Sequence, residues 1–285
     1  MHDGTQLLSS GSRPIFKEFG GFDRPIDHTE CWFYHTSDLP GRGLIPGTWD
    51  LRGCVNEYLG GYDVRGKKVF DCGVASGFMS FEMERRGATV VGLDLDEEAD
   101  PTMGLIPFTD YQERFGYTKA FAVSERRKVQ RRLRNSFILS HQAHQSKARL
   151  MIGNIMTHAV PEEADVALFG NILLHLREPL AALYNIAPRV RETIIVSETL
   201  IPPLTLDGAP SLPFRPSVAD RTNPGTWWYI EPSWVRRALE VVGFGDIRVQ
   251  QYDAIEEPGA KPVACFAMVA HRIHDFDTLQ QTGAM

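Results

Sequence analysis

From Lys67 onward the chain alternates between short apolar runs and longer amphipathic stretches. Val69-Phe70 is a short apolar strand that runs into Asp71-Cys72-Gly73-Val74-Ala75-Ser76-Gly77. Phe78 to Arg86 then reads as a helix, closed by Gly87. Thr89 to Leu95 is a continuous, largely β-branched run, the pattern of a strand buried on both faces. Strand, helix and strand in so short a span make a βαβ unit, which requires parallel pairing through a right-handed crossover. The alternation continues with a polar helix over 124–144, strands over 148–152 and 165–169, a helix over 179–188 and a strand over 193–196. A helix over 232–242, with proline in its first turn and Gly243 after it, precedes strands over 247–251 and 263–270.

The expected architecture is therefore α/β: a Rossmann-like sheet of seven mostly parallel strands with helices on both faces. Residues 1–64 lack clean periodicity, are rich in Gly, Pro and aromatics, and read as an N-terminal cap or lid. The main domain spans 65–275, and 276–285 reads as a flexible tail. Residues 202–226 hold six prolines and read as a long loop over the site.

Composition narrows the function classes. The chain of 285 residues is 43% hydrophobic and 23% charged, as a globular protein is. The apolar stretch Val263–Ala270 is far too short to span a bilayer, and the first residues carry no secretory pattern. Four widely spaced cysteines without a CxxC argue against a disulfide framework or zinc site and fit a reducing cytoplasm. A net charge of -6 disfavours a polyanionic partner, although one basic run, Arg126 to Arg134, would bring Arg127, Arg131 and Arg134 onto one helical face. That run is either a solvated face paired with acids or a phosphate-contacting surface. His141 and His144 share a helix face, but no third metal ligand accompanies them, so no metal is expected. A homodimer is left open.

The chemistry begins at the turn after the first strand. Asp71, Gly73, Ala75 and Gly77 form DxGxAxG, and Asp94 closes the next strand. Glycines there let backbone N–H groups approach a ligand, and an acid at the second strand's end can accept both hydroxyls of a ribose. Dinucleotide enzymes share that pair of features. The acid two residues before the first glycine would repel a pyrophosphate and suits a cationic amino-acid ligand, which favours S-adenosyl-L-methionine.

The stretch VFDCGVASGFMSFEMERRGATVVGLDLD resembles the cofactor motif of class I S-adenosylmethionine-dependent methyltransferases. WFYHTSDLPGRGLIPGTWDLRG, NILLHLREPLAAL and TWWYIEPSWVRRALEVVGF are similar to the branch that contains the bacterial tRNA wobble-uridine carboxymethyltransferase and relatives acting on small molecules. The resemblance covers about residues 31 to 270. It implies that Asp71, Gly73, Ala75 and Gly77 line the methionine moiety, Asp94 holds the ribose, Asn154 with Ile155 contacts adenine, and Asn171 lies beside the sulfonium. Two departures matter: Leu174 replaces a tyrosine before His175, and Lys261-Pro262 replaces a Lys-Arg pair. In the branch those groups help hold the extra carboxylate of a carboxylated cofactor, so ordinary S-adenosylmethionine is expected.

His175, past Asn171 at the carboxyl edge, is a candidate general base or a structural histidine. Tyr34 and His35 in the cap either close over the substrate or pack, and Glu198 ends the fifth strand on the functional edge. Arg52 is a candidate to neutralise a carboxylate on cofactor or substrate. Among Trp227, Trp228 and Tyr229, the substrate-lining choice is Trp228 with Tyr229. The expected activity is methyl transfer to an O or N nucleophile of a small-molecule acceptor in bacterial secondary metabolism. The alternatives are modification of a tRNA wobble uridine and a non-catalytic cofactor-binding scaffold.

Overall fold

The computed structural model describes residues 13–97, 119–200, 208–216, 226–256 and 260–275. Most of the proline-rich loop and the C-terminal tail lie outside these residues. The β-branched runs fold as expected. β4 (Lys68–Cys72), β5 (Thr89–Asp94), β6 (Arg149–Ile152), β7 (Ala164–Gly170) and β8 (Val190–Thr199) pair in parallel. β9 (Phe244–Ala254) and β10 (Val263–Arg272) follow as an antiparallel pair, with β10 against β8.

An eighth strand joins the seven read from the sequence: β1 (Lys17–Glu18) pairs antiparallel with β6 at the sheet edge. The full order is β1-β6-β5-β4-β7-β8-β10-β9. β2 (Ser37–Leu39) and β3 (Gly43–Ile45) form a separate two-stranded ribbon. The chain leaves β4 for β5 and β6 on one side and returns to β7 and β8 on the other. Strand order thus reverses between β4 and β7, the place where an open parallel sheet forms a crevice at its carboxyl edge.

Side chains alternate between the two faces of the sheet. Phe70, Leu93, Ala167 and Phe169 pack with Ala182, Leu183 and Ile186 of α4 (Pro179–Ile186) and with Val235 and Leu239 of α5 (Pro232–Val241). Val69, Val90, Val166 and Leu168 belong to the opposite cluster. That cluster takes Val55 and Tyr58 from α1 (Val55–Tyr58), Phe78, Phe81 and Met83 from α2 (Phe78–Arg85), and Phe137 from α3 (Lys119–His144). The segment that precedes β4 is thereby tied into the main core through Trp49, Leu51, Leu59 and Val64. No helix among the described residues is long and apolar enough to cross a membrane.

Gly77 sets how closely α2 can start against the sheet. Its φ is 90°, and a Cβ there would lie 2.4 Å from Phe81 Cε2 and 2.7 Å from Phe137 Cδ2. Gly77→Ala is expected to lower unfolding free energy by about 2–4 kcal/mol, because left-handed strain and overpacking add. Denaturant titration tests this; an unchanged midpoint would show that the aromatic pair yields freely.

Candidate active site

Two tight turns keep the crevice between β4 and β7 open. After β4, Gly73, Ala75 and Gly77 all have left-handed φ values, and a Cβ on Gly73 would sit 2.8 Å from Ile172 Cδ1. After β7, Asn171 also adopts φ 50°, and its N–H donates to the Ser197 carbonyl at 2.6 Å. A 3-10 turn, Leu173–His175, follows directly.

The crevice holds a cleft of about 740 Å³ bordered by Gly73, Asp94, Asn154, Ile155, His175 and Trp227 among others. Asp94 Oδ1 accepts the Leu95 N–H at 2.8 Å, while Oδ2 lies 3.4 Å from Arg134 Nη2. Burial raises the Asp94 pKa, and the Arg134 guanidinium pulls it back down. Arg134 is 4% exposed, donates to the Leu95 carbonyl at 2.8 Å, and keeps Nη1 buried without a hydrogen-bond partner. Asn154 turns Oδ1 onto the Met156 N–H at 2.9 Å.

A second chamber, about 250 Å³, adjoins the cleft and shares Gly73, Asp94, Leu95, Ile172, His175 and Leu176 with it. Aromatic residues dominate its other walls: Trp32, Tyr34, Trp49, Tyr58 and Tyr252, with His35 beside them. Ala75, Asn171 and Glu198 complete the edge nearest the turns. A bridge between His35 and Trp49 fastens this wall, and Asp50 in turn bridges Ile255 beyond β9.

Glu198 is 1% exposed. Its Oε1 accepts the Leu173 N–H at 2.8 Å, and its Oε2 is buried with no hydrogen-bond partner. Burial pushes its pKa up to about 8, against the pull of backbone N–H groups at 172–174. His35 Nδ1 is likewise buried and unpartnered, and burial lowers that imidazole to about 4, so it is neutral near pH 7. The Tyr34 ring stands edge-on to His35 at 5.0 Å, and burial raises its phenol. His175 is half-buried where cleft and chamber meet.

Several candidates sit elsewhere. Asp71 lies behind the turn, is 3% exposed, and accepts the Ser80 hydroxyl at 2.5 Å; it borders neither cavity. Arg52 is exposed and clamps Asp50 at 2.6 Å, also away from both cavities. Trp228 donates Nε1 to the Leu176 carbonyl at 3.1 Å and meets Phe214 edge-on, while Arg215 lies 5.4 Å over the Tyr229 ring. Trp227 borders the cleft instead, with Nε1 buried and unpartnered. The change of one position follows from the bridge between Phe214 and Trp228, which commits that ring to the loop. Sequence reasoning missed Tyr58, Trp49 and Tyr252, which no local pattern marks, and placed Arg134 only within a basic run.

Much of that run pairs within the chain, mostly at the surface. Lys128 pairs Glu125 at 2.6 Å, Arg131 lies 3.6 Å from Glu97, and Arg132 donates to the Cys31 carbonyl at 2.9 Å. His141 stacks on Phe22 at 4.0 Å and bonds the Ala148 carbonyl, and His144 stacks on Phe81. Among the described residues no cluster of three or more His, Cys, Asp or Glu side chains could hold a metal.

No protein-family model and no curated protein matches the chain. Among solved structures, the N-terminal domain of EvdMO1, determined in the presence of SAH and D-fucose, aligns over 85% of this chain and 91% of that one. The TM-score is 0.52 at 19% identity. The fold is the Rossmann-like methyltransferase fold. A Burkholderia thailandensis 1,6-didemethyltoxoflavin-N1-methyltransferase with bound S-adenosylhomocysteine aligns over 78% of this chain and 76% of that one, with TM-score 0.46 and 14% identity. Magnesium protoporphyrin IX methyltransferase from Synechocystis PCC 6803 aligns over 78% and 82%, with TM-score 0.42 and 16% identity.

Burial lifts Asp71 to about 7 from 3.8, with the charge of Asp94 adding to it. The folded state therefore binds more protons than the unfolded chain between those values, and stability falls as pH rises through that window. Asp71→Asn keeps an acceptor for Ser80 and removes the proton. Its unfolding free energy relative to wild type should climb from pH 4 to 7, by at most about 1.4 kcal/mol per pH unit, then level off. Parallel stability curves would show that Asp71 ionises freely in the fold.

Proposed function

We propose that the chain is an S-adenosylmethionine-dependent methyltransferase acting on an O or N nucleophile of a small-molecule acceptor. The observation that carries this reading is the pairing of a cleft of about 740 Å³ with an aromatic-walled chamber of about 250 Å³ at one carboxyl edge. The residues present fit the cofactor. At the left-handed turn Gly73 borders both cavities with no side chain of its own, and the small Ala75 borders the chamber. The Asp94 carboxylate can accept two ribose hydroxyls, and Asn154 with Ile155 borders the space for adenine. When bound, the cofactor supplies an electrophilic methyl on a sulfonium.

The protein's own work is positioning. Alignment of two reactants can be worth up to about 7–11 kcal/mol in such displacements. Tyr34, Trp49, Tyr58 and Tyr252 would hold a flat acceptor and keep water out, while His175 stands at the junction where the acceptor's reacting atom must point. His175 and Glu198 are the groups suited to take a proton there, which adds roughly 10²–10⁴-fold where the nucleophile arrives protonated. His35, neutral and weakly basic, is better suited to orient the acceptor through Nδ1.

A metabolite fits this chamber better than a folded RNA. The internal pairing of Lys128, Arg131, Arg132 and Arg134 supports the solvated-face reading of the basic helix over a phosphate-binding one. Bacterial secondary metabolism is the setting such an acceptor suggests. Calorimetry with S-adenosylmethionine tests the reading: wild type should bind, and Asp94→Asn should bind about 10- to 100-fold more weakly, since each charged hydrogen bond contributes roughly 1.5–3 kcal/mol. Absence of binding by folded wild type would sink it. Retention of labelled tRNA with a steep salt dependence would shift the acceptor class to nucleic acid.

A further inference from the structure

The chamber contains one charged-group oxygen held out of water with nothing to bond. We propose that Glu198 Oε2 is the proton acceptor for a nucleophile that enters as a neutral O–H or N–H, and that the positive charge of the bound cofactor is what ionises it. This rests on the reading of the cleft as a methyl-donor site. Geometry supports it first. Oε1 accepts the Leu173 N–H at 2.8 Å, Glu198 borders the chamber, and Oε2 is buried with no hydrogen-bond partner among the described residues.

Titratable and charged groups from several elements line the chamber with it, His35 before β2 and Asp94 at the end of β5 among them. Tyr34 precedes β2, Tyr58 comes from α1, Tyr252 from β9 and Cys265 from β10; His175 lies on the 3-10 turn and Arg126 on α3. Burial raises the pKa of Tyr34, Tyr58 and Cys265, and the Glu198 charge adds a smaller push, so none of these is poised to ionise near pH 7. Burial meanwhile keeps the Glu198 carboxyl protonated at neutral pH, at a value of about 8. A sulfonium brought to the mouth of this chamber favours the carboxylate and expels that proton. The armed carboxylate then takes the next proton from the acceptor: the acceptor's lone pair forms the bond to the methyl carbon, the C–S electron pair stays on sulfur, and the O–H or N–H proton goes to Oε2. An acceptor that is already a carboxylate would face a like charge here and is disfavoured.

The bland role for Glu198 is to cap the 173–175 turn, and Glu198→Gln separates the two because the amide oxygen still accepts from Leu173. The experiment is calorimetric titration at pH 7 with S-adenosylmethionine and with neutral-sulfur S-adenosylhomocysteine, each in buffers of different ionisation enthalpy. Wild type is expected to release close to one more proton with the sulfonium than Glu198→Gln does, while the two proteins release equally with the thioether. Equal release by both proteins with S-adenosylmethionine, at retained affinity, overturns the inference and leaves the cofactor reading standing. Should Glu198→Gln fail to fold, Glu198→Asp provides the second variant: its shorter side chain is expected to shift the pH dependence of proton release, and an unshifted profile also overturns the proposal. A wild type that binds neither ligand contradicts the methyl-donor reading itself.

Discussion

Asp71 and Glu198 hold buried carboxyl groups at the carboxyl ends of β4 and β8, and Asp94 holds a half-buried one at the end of β5. Among the described residues, the ion pair recorded for these three is Arg134 on Asp94, at 3.4 Å. Burying an uncompensated carboxylate costs several kcal/mol, and the pKa shifts record the protein's response: all three acids are raised, Asp71 to about 7 and Glu198 to about 8. Such an edge has an unfilled demand for positive charge. A cationic ligand in the cleft would meet that demand, which links the electrostatics of this edge to the methyl donor proposed for it.

The rest of the architecture covers this edge with packed, largely apolar side chains. The N-terminal segment passes over the carboxyl ends and is fastened at several points: the Trp49 N–H donates to the Tyr34 carbonyl, Thr36 donates back to Trp49, and Asp50 reaches the chain after β9. The 3-10 turn after β7 is fixed from beneath by Glu198. Because this segment shares its core with α2 and the sheet, the aromatic wall cannot shift without disturbing packed residues such as Leu51 and Val55. Preorganisation of this kind lets a site supply alignment rather than strong chemistry.

Much of this was legible in the sequence, for reasons particular to each element. β5 reads as an unbroken β-branched run because both its faces are covered. β8 runs from Val190 rather than Thr193 because exposed Arg191 and Glu192, which anchor Asp165 and Lys67, hide its start. β1 carries no signal at all: Lys17 and Glu18 are exposed and are held by pairing with β6 and by the ion pair of Glu18 with Arg149. At the site, Gly73 and Asp94 follow from spacing along one βαβ unit. Asp71 was found by position, but its direction was not, because Ser80 captures it from the first turns of α2. Arg134 was concealed among neighbouring basic residues, and burial separates it from them only in three dimensions. The aromatic chamber brings together residues from position 32 to position 265, which no local pattern announces.

In the proposed binding mode the cleft takes the nucleoside and points the cofactor's sulfur into the chamber beside Glu198. A crystal structure of the protein with S-adenosylhomocysteine tests it most directly. The account predicts ribose hydroxyls on Asp94, the adenine ring against Asn154 and Ile155, and the thioether sulfur facing the space between Asn171 and Glu198. A ligand seated with its sulfur away from that chamber, or with the ribose on another residue, would contradict it.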